Sequence, residues 1–562
     1  MSVLNLPTLP AAARGKSCSA ALNPALVRAA TPLRRKRALV VCAHLRPGRV
    51  KRRSHYVMQP ITGLHVASQI NPSEFDVTIY HEDWHGPFDP ARAQGYDIVF
   101  ISGLQVDFDR MRQLSYYFRR TGATVVAGGS ICTIFPEFAA QFFDVVCAGG
   151  VDSVPKVVAD YQRGCLKRIY RSEIARIADY EIHHEIFTRC GITPAVHLLE
   201  TSRGCSFRCS FCVMPSEVGR HATYNLTTLR RAIDDSIRNS PRFSFRRAYP
   251  LIIFLDNNFS DDRQHMLRVC EMLQNHRGVR GWAALVTQNV LHDRELISKL
   301  AKMKCVSLFV GLESFDREML RRYKKKQNLG RHNVIDDIVF AESVGIGIGY
   351  GYLFDPRMQT ADAMREQIRM IGANPKLPMP TYLSVIAPLA GTDAFWEDLR
   401  NGDLAANLRL RDLDGETICY ANLADSSEAL VDFSEKIFRR PWMLVRRATI
   451  VWKTVRRIVR AGSFNPIRWY LIGASNLHAF VWSSVSTSAV RTYLAGSDVL
   501  DPQYFERPRN LTEADRIRYF EPVYLTDSEG RPSEWLRSYI PRARSHPTPD
   551  RILEVGLTGD SS

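Results

Sequence analysis

The 562-residue sequence predicts an α/β protein with two successive parallel β-sheets, followed by a mainly helical C-terminal region. Three observations support this prediction. Short apolar runs of strand length recur along the chain, helical patterns separate them, and the apolar periodicity changes after about residue 425. With 45% hydrophobic residues, the chain can bury more than one core. No apolar run reaches the length that a transmembrane helix needs.

The first series of strands lies between residues 37 and 160. Apolar runs predict strands at 38–43, 75–80, 97–102, 124–127 and 144–147, with a helix at about 108–121. Strands that alternate with helices predict a doubly wound, Rossmann-like parallel sheet, which binds ligands beyond the carboxyl ends of its strands. Small residues at those ends let a ligand approach the backbone, or simply terminate the strands. They are Ser102, Gly103, Gly128, Gly129, Gly149 and Gly150.

A predicted connector at 161–194 leads to the second series, in residues 195–425. Its predicted strands are 195–200, 251–255, 281–286, 306–310, 345–353 and 381–386, with helices at about 229–239, 265–275 and 293–303. Six βα units in this length predict a partial (β/α)6 barrel. The carboxyl rim of such a barrel carries its chemistry.

The C-terminal region, residues 426–562, is predicted to be helical and basic. A helix at 433–460 combines an apolar stripe, which includes Trp442, Trp452, Val455 and Val459, with a basic face. Two interpretations remain open. The stripe packs on the barrel and leaves the basic face in solvent, or the segment 439–460 contacts an anionic membrane surface or an anionic substrate.

The formal charge of +17 is concentrated near the N-terminus, because residues 1–53 carry twelve Arg and Lys and no Asp or Glu. Residues 1–36 are predicted to be a disordered basic tail, with an organelle transit peptide as the alternative. Stacking aromatics do not alternate with the basic residues, so we expect no nucleic-acid partner. Twelve scattered cysteines exclude a secreted disulfide scaffold and predict a cytoplasmic protein, with membrane association left open.

The strongest chemical signal is a cysteine cluster directly after a predicted strand. It reads Arg203-Gly-Cys205-Ser-Phe-Arg-Cys209-Ser-Phe-Cys212. Thiolates at such close spacing are typical iron–sulfur ligands, and three of them leave one iron open to another molecule. Structural zinc is the alternative, but it needs a fourth ligand, which only His221 offers nearby.

The C-x3-C-x2-C spacing, with Phe211 before the third cysteine, resembles the radical S-adenosylmethionine (SAM) superfamily. The resemblance implies that Cys205, Cys209 and Cys212 hold a 4Fe–4S cluster. It further implies that the open iron binds the amino and carboxylate groups of SAM. Reduction of the cluster would then cleave SAM to methionine and a deoxyadenosyl radical.

Two further elements agree with this family. Phe254–Phe259 is similar to its second-strand element, and Gly311–Ser314 to its fourth. The resemblance implies SAM contacts at Phe211, Asp256, Asn257, Asn258, Gln288, Glu313 and Ser314. Gln288 departs from the pattern, because many relatives carry Arg there, near the SAM carboxylate. The partner of that carboxylate therefore stays open.

Residues 37–160 resemble the cobalamin-binding domain of B12-dependent radical SAM proteins. The resemblance rests on Val125–Ser130, Phe135–Glu137 and Val145–Asp152, in that order. Ser130 stands where relatives have proline, and Gly-Gly-Val-Asp replaces their Gly-Glu-Gly-Glu turn. The Asp-x-His-x-x-Gly motif for an axial histidine is absent, and the Asp83–His85 segment matches only its start. The resemblance implies cobalamin at the six small residues named above.

Two such cofactors imply methyl transfer to an unactivated carbon or a phosphorus centre. The basic, aromatic C-terminal region is similar to relatives that methylate polycyclic lipids, which favours a lipid or other apolar natural product. Three alternatives remain: ring closure or rearrangement without methylation, a radical SAM enzyme with a vacant N-terminal domain, and a non-catalytic iron–sulfur protein. The resemblance also implies an electron donor such as flavodoxin or ferredoxin.

Replacing Cys205, Cys209 or Cys212 singly with Ala is expected to abolish the 4Fe–4S absorbance and all SAM cleavage, because no other cysteine lies in this loop. The measurement is cluster reconstitution followed by detection of deoxyadenosine. Cys165→Ala is the matched control and leaves both unchanged. Retained cleavage in any of the three variants contradicts the cluster assignment.

Overall fold

The computed structural model describes residues 35–45, 61–172, 181–218, 221–330, 332–438, 440–461, 508 and 510–541. The predicted tail, apart from residues 35 and 36, lies outside these ranges, as do residues 462–507 and 542–562. From Lys36 onward the described residues belong to one compact unit. No helix in the described ranges is long and apolar enough to cross a membrane.

The first sheet confirms the predicted doubly wound architecture. Its strands are β1 (Lys36–Cys42), β2 (Phe75–His81), β3 (Ile98–Gly103), β4 (Thr124–Gly129), β5 (Val145–Ala148) and β6 (Ile169–Arg171). All pairs are parallel, in the order β2-β1-β3-β4-β5-β6. β6 lies inside the segment predicted as a connector. It has only three residues and a half-buried pattern, so no apolar run marks it in the sequence.

Helices cover this sheet on both faces, which is why most of its strand residues are buried and apolar. The helices are α1 (Thr62–Ser68), α2 (Glu82–His85), α3 (Phe108–Arg120), α4 (Ser130–Ile134), α5 (Pro136–Ala139) and α6 (Val154–Arg163). The predicted helix at 108–121 corresponds to α3. Its buried face includes Phe108, Met111 and Leu114.

The second sheet confirms the predicted partial barrel. Its strands are β7 (His197–Leu199), β10 (Leu251–Phe254), β11 (Gly281–Thr287), β12 (Cys305–Glu313), β13 (Gly347–Phe354) and β14 (Tyr382–Val385). They are parallel, in the order β14-β13-β12-β11-β10-β7. A two-residue antiparallel pair, β8 (Ser202–Arg203) with β9 (Ala222–Thr223), flanks the cysteine loop. All six predicted strands of this series are present.

Helices alternate with these strands along the chain. They are α7 (Glu185–Arg189), α8 (Met214–Glu217), α9 (Leu226–Arg238), α10 (Phe245–Ala248), α11 (Arg263–Asn275), α12 (Arg294–Lys302), α13 (Arg317–Arg322), α14 (Val334–Ser343), α15 (Ala361–Ala373) and α16 (Asp393–Asn401). Side-chain caps mark several beginnings: Asn225 caps α9, Asp262 caps α11 and Thr360 caps α15. Near the C-terminus, short helical segments occur at Glu513–Asp515, Arg516–Phe520 and Glu534–Arg537.

The C-terminal region contributes α17 (Ser427–Phe438) and α18 (Arg440–Ala461). The interpretation that α18 packs its apolar stripe on the barrel is wrong for the described side chains. Lys453 and Arg457 are buried, whereas Trp452, Val455 and Val459 are 46%, 55% and 73% exposed. Two buried cations with partners on the barrel therefore set the rotation of the helix.

The carboxyl edges of the two sheets face each other. Gln105, just after β3, donates to the carbonyl of Ala390 and accepts from its N–H, both at 2.9 Å. Gly391 lies against Ile134 of α4, where a Cβ would come within 2.7 Å of that side chain. Ala390 and Gly391 follow β14 at the barrel rim. The functional edges of both sheets thus border one interface.

Replacing Gly129 with Ala is expected to destabilise the protein by several kcal/mol, roughly twice the cost at an uncrowded position. Gly129 has φ +103, and a Cβ there would lie 2.4 Å from the Gly103 carbonyl oxygen. Gly122→Ala is the matched control, because its φ is +84 but nothing lies within 4 Å of its Cβ. Equal shifts in denaturant midpoint for the two variants would show that the clash is relieved by backbone movement.

Candidate active site at the barrel rim

The cysteine loop is tied to the barrel by the buried carboxylate of Asp256, just after β10. This carboxylate accepts hydrogen bonds from Thr201 N at 2.8 Å, Thr201 Oγ1 at 2.6 Å and Ser202 Oγ at 2.6 Å. Burial raises the pKa of Asp256 to about 7, although these hydrogen bonds oppose the rise. Asp256, predicted as a SAM contact, is 1% exposed and anchors the loop. Its direct contact with SAM stays a prediction.

Two more side chains after β10 shape the start of the loop. Asn257 Oδ1 accepts from Gly204 N at 2.9 Å, and Gly204 has φ +85, a conformation that favours glycine. Asp261 accepts from Ser206 N at 3.0 Å and from Ser206 Oγ at 2.9 Å. Asn257 and Asp261 therefore bracket Cys205 by holding the backbone on both sides of it.

The three cysteines have free thiols in a setting that fits an iron–sulfur cluster. Asn258 Nδ2 lies 3.7 Å from Cys205 Sγ, and Gln327 Nε2 lies 3.4 Å from Cys209 Sγ. Amide donors to the sulfurs are one means by which proteins tune cluster potentials. Burial raises the pKa of Cys205 and of Cys212 to about 11, so metal binding must displace protons. His221, the candidate fourth zinc ligand, instead lies 3.8 Å from Asp261.

The far end of the loop is held by the segment that follows α13. Ser210 N donates to the carbonyl of Tyr323 at 2.9 Å, and Ala394 N donates to the carbonyl of Ser210 at 3.0 Å. The Phe211 ring contacts Tyr323 edge-on, with centroids 5.3 Å apart. The cysteine loop is thus held at one end by the residues after β10 and at the other end by the segment that follows β12 and α13.

Glu313 ends β12 with its carboxylate paired to the ammonium of Lys325. Its φ of +62 is a conformation that costs a non-glycine residue about 1–3 kcal/mol. Asn328 supports this backbone by donating to the carbonyls of Gly311 and Leu312 at 3.0 and 2.9 Å. The Lys325 ammonium also lies 5.7 Å from the centre of the Phe211 ring. A carboxylate and an ammonium therefore stand together beside the cysteine loop.

Gln288 and Ser314, two further predicted SAM contacts, are also buried. Gln288 follows β11 and is 5% exposed. Ser314 is 2% exposed, and its hydroxyl oxygen accepts from Asp316 N at 3.0 Å. Rim positions after β10, β11 and β12 thus come to one side of the barrel, as the sequence elements predicted. Their contact with SAM stays a prediction.

A buried polar cluster joins the first sheet to the cysteine loop. Arg203, two residues before Cys205, donates to His65 Nδ1 at 2.7 Å and to Glu200 Oε2 at 2.9 Å. Burial, followed by the nearby Arg203 charge, lowers the pKa of His65 to about 3. Burial opposes ionisation of Glu200, but the Arg203 guanidinium holds the pKa of Glu200 below its usual range. His65 is thus a neutral acceptor that links α1 to the loop.

The six small residues predicted to contact cobalamin all lie half-exposed at the carboxyl ends of β3, β4 and β5. The surroundings of the Cβ position differ among the glycines of this set. Gly129 packs against Gly103, and Gly149 against Ser172, so a Cβ at either would clash with the protein itself. Gly128 has no atom closer than 4.0 Å to its Cβ position. This open position fits close approach by a ligand.

Sequence reasoning missed Lys325, Gln327 and Asp261. Lys325 and Gln327 belong to no motif, and their sequence separation from the cysteines, more than 110 residues, gives no sign of proximity. Asp261 lies two residues beyond the recognised second-strand element, Phe254–Phe259. A polar residue just after a rim strand was the only available signal for it.

Comparisons with known proteins agree with this geometry. Residues 199–338 match the family model described as the radical SAM superfamily. The bacteriochlorophyllide d C-8(2)-methyltransferase of Chlorobaculum tepidum is 24% identical over 354 residues, 60% of this chain and 76% of that protein. The hopanoid C-3 methylase of Methylococcus capsulatus is 27% identical over 205 residues, 36% of each chain.

A solved structure also shares the fold. It is the cobalamin-dependent SAM radical enzyme OxsB with aqua-cobalamin and SAM bound. The two chains superpose with a TM-score of 0.53 at 15% identity, over 80% of this chain and 72% of the other.

Asp256→Ala is expected to speed loss of the cluster to a chelator by about tenfold or more, because it leaves buried donors of Thr201 and Ser202 unpaired. The measurement is the decay of cluster absorbance under anaerobic conditions. Asp234→Ala, which removes a 46% exposed carboxylate that pairs with His276, is the control and keeps the wild-type rate. Equal rates would mean that Asp256 does not hold the loop.

Proposed function

Because the chain is a member of the radical SAM superfamily, we propose that it methylates an unactivated carbon of an apolar substrate. The substrate class proposed is a lipid or other apolar natural product, and cobalamin is the proposed second cofactor. The observation that carries the proposal is the composition of the barrel interior beside the cysteine loop.

The barrel strands present a nearly charge-free set of half-buried positions. Those that share a face with Phe309 are Ile253, Ala283, Leu285, Thr287, Ser307, Phe309, Gly311, Glu313, Gly351, Leu353, Tyr382 and Ser384. Only Glu313, at the rim end of β12, is charged. Such a surface recognises a substrate by burying apolar area, with few polar groups to fix its orientation.

Two aromatic rings lie beside a glycine on this face of the sheet. Phe309 and Tyr382 meet edge-to-face with ring centroids 5.7 Å apart. Gly351 on the neighbouring strand lies against the Phe309 ring, since a Cβ there would lie 3.6 Å from that ring. The two rings form one apolar aromatic surface, which suits contact with an apolar ring system.

Cofactors bound at the rim would supply a carbon radical able to abstract hydrogen and a methyl group for transfer. The chain's own residues position and protect them. Cys205, Cys209 and Cys212 would hold the cluster, and Asn258 and Gln327 donate hydrogen bonds to its sulfur ligands. Glu313 and Lys325 offer opposite charges to the amino and carboxylate groups of SAM. The apolar interior excludes water from the reacting carbon.

Cobalamin binding is supported by the meeting of the two carboxyl edges. The contact between Gln105 and Ala390 closes the interface, and Gly128 faces open space on the first sheet. A cofactor on that edge would lie between the first sheet and the barrel rim, which transfer to a substrate in the barrel requires. The methyltransferases named above, which act on polycyclic substrates according to their names, support the same reaction class.

The proposal includes a cytoplasmic setting and a small electron donor of the flavodoxin or ferredoxin class. Ring closure or rearrangement without methylation is the second candidate. A 4'-phospho-dehydrooxetanocin synthase from Priestia megaterium, 23% identical over 228 residues, is named as a synthase and not as a methyltransferase, which supports this second candidate. The fate of the SAM methyl group distinguishes the two reactions.

Protein purified anaerobically with iron, sulfide and hydroxocobalamin is expected to retain about one cobalamin per chain. With SAM labelled in its methyl group, label is expected in an apolar product extracted from source cells. No retained cobalamin, with intact SAM cleavage, contradicts the proposed second cofactor. Product formed without label contradicts methylation.

Gly351→Val tests the aromatic surface of Phe309 and Tyr382 as the substrate contact in the same assay. The added methyl groups would crowd Phe309, so methylated product is expected to fall at least about tenfold while SAM cleavage without substrate stays unchanged. Gly372→Val is the matched control, since nothing lies within 4 Å of a Cβ at that position. Undiminished product from Gly351→Val would place the substrate elsewhere.

A further inference from the structure

The orientation of α18 is set by a buried lysine. Lys453 is 0% exposed, and its ammonium donates to the carbonyls of Ile371, Asn374 and Leu377, the last two at 2.9 and 2.7 Å. These carbonyls lie at and beyond the C-terminal end of α15, where helical carbonyls lack partners and a cation is favourable. Lys453 thus caps α15 and cannot turn outward without breaking three hydrogen bonds.

A second buried cation reinforces this rotation. Arg457, one turn after Lys453, is 2% exposed and pairs with the buried carboxylate of Glu342 on α14. Breaking such a pair would leave a charge buried alone, which is strongly unfavourable. The two contacts lie on one face of α18 and direct that face at the barrel.

The opposite face of α18 is therefore apolar and exposed. Val451, Val455 and Val459 recur every four residues and are 55%, 55% and 73% exposed, with Trp452 beside them at 46%. We call these four residues the α18 stripe. Among the large hydrophobic side chains exposed in the described part of the chain, these four are the only ones on a single helix face. A continuous exposed apolar stripe of this kind marks an interaction surface.

The charge of the helix indicates what covers the stripe. Arg440–Ala461 contains seven Arg and Lys and no Asp or Glu. At the stripe itself, the Arg456 guanidinium lies over the Trp452 ring, 5.1 Å from its centre. Tryptophan with flanking cations and small apolar side chains is the composition of helices that lie in the headgroup region of anionic bilayers.

A second copy of the chain fits this surface poorly. A symmetric contact through α18 would bring the basic residues of both copies together, with no acidic residue in the helix to pair them. The chain immediately after α18 offers no counter-charge either, since residues 462–497 contain no Asp or Glu. Anionic lipid headgroups supply that charge, and acyl chains accept the valines.

We propose that the α18 stripe docks the protein on the surface of an anionic lipid bilayer. The helix lies in the plane of the interface, with Val451, Val455 and Val459 toward the acyl chains and Arg456 among the headgroups, while Lys453 and Arg457 stay buried against the barrel. This contact does not depend on the methylation proposed above, because it involves neither the cysteine loop nor the barrel interior.

The test is co-sedimentation of the full-length, cluster-reconstituted protein with vesicles of phosphatidylcholine, with and without phosphatidylglycerol. We expect the wild type to bind the anionic vesicles, more weakly as salt rises. Val455→Glu with Val459→Glu is expected to reduce binding at least about tenfold, because apolar contact is replaced by repelled charge. Phe243→Glu, which replaces a fully exposed apolar loop residue with one such negative charge, is the control and binds as the wild type does.

Cluster absorbance and SAM cleavage report whether the double variant is folded, and both are expected at the wild-type level. If it does not fold, quenching by brominated lipids tests the contact in the wild type, and Trp452→Phe is expected to remove part of that quenching. No binding of the wild type to anionic vesicles, or equal binding of the folded double variant, overturns the proposal. A dimer in solution that Val455→Glu dissociates would also overturn it, because a second copy would then cover the stripe. A crosslink from α18 to residues 462–507 that vesicles leave unchanged would overturn it as well, because that segment would then cover the stripe.

Discussion

The buried carboxylate of Asp256 is the interaction on which the rest of the candidate site depends. Between Arg203 and Met214 the chain has no strand or helix to define its path. Its shape comes from partners on other rim loops, and Asp256 secures the point at which it leaves the barrel. A flexible loop could not present three thiols to one cluster, because ordering them would cost conformational entropy at each binding event. Contacts with the rim loops order the cysteine loop before the cluster binds.

A second constraint explains the unexpected surface of the C-terminal helix. Lys304 donates to the carbonyls of Leu273, His276 and Val279 at the end of α11. Lys453 does the same at the end of α15, with carbonyls at the same spacing of three residues. Both lysines satisfy backbone groups that a helix leaves unpaired. Because the second lysine belongs to α18, capping one helix determines which face of another meets solvent.

The fold and the cluster ligands were predictable because their signals are local. Apolar runs of strand length report burial directly, so all eleven predicted strands correspond to strands of the structure. The spacing of Cys205, Cys209 and Cys212 within eight residues reports a shared site in the same way. β6 was not predicted, since three residues paired at a sheet edge carry no apolar run. Lys325 and Gln327 were not predicted, since nothing local ties them to the cysteines.

α18 shows where sequence reasoning is limited. Its amphipathic pattern was correct, but the pattern left open whether the apolar side packs on the barrel, although hydrophobicity usually decides which side packs inward. Here Lys453 pairs with the carbonyls at the end of α15, and Arg457 pairs with the carboxylate of Glu342. These pairings stabilise the observed rotation of α18 more than burial of its valines would stabilise the opposite rotation. The amino-acid order alone specified the two parallel sheets, the cysteine loop and the amphipathic helix, since each depends on neighbours in sequence. Tertiary contacts alone selected Lys325 and Gln327 for the rim and turned the α18 stripe outward, because unpaired polar groups distant in sequence had to find partners.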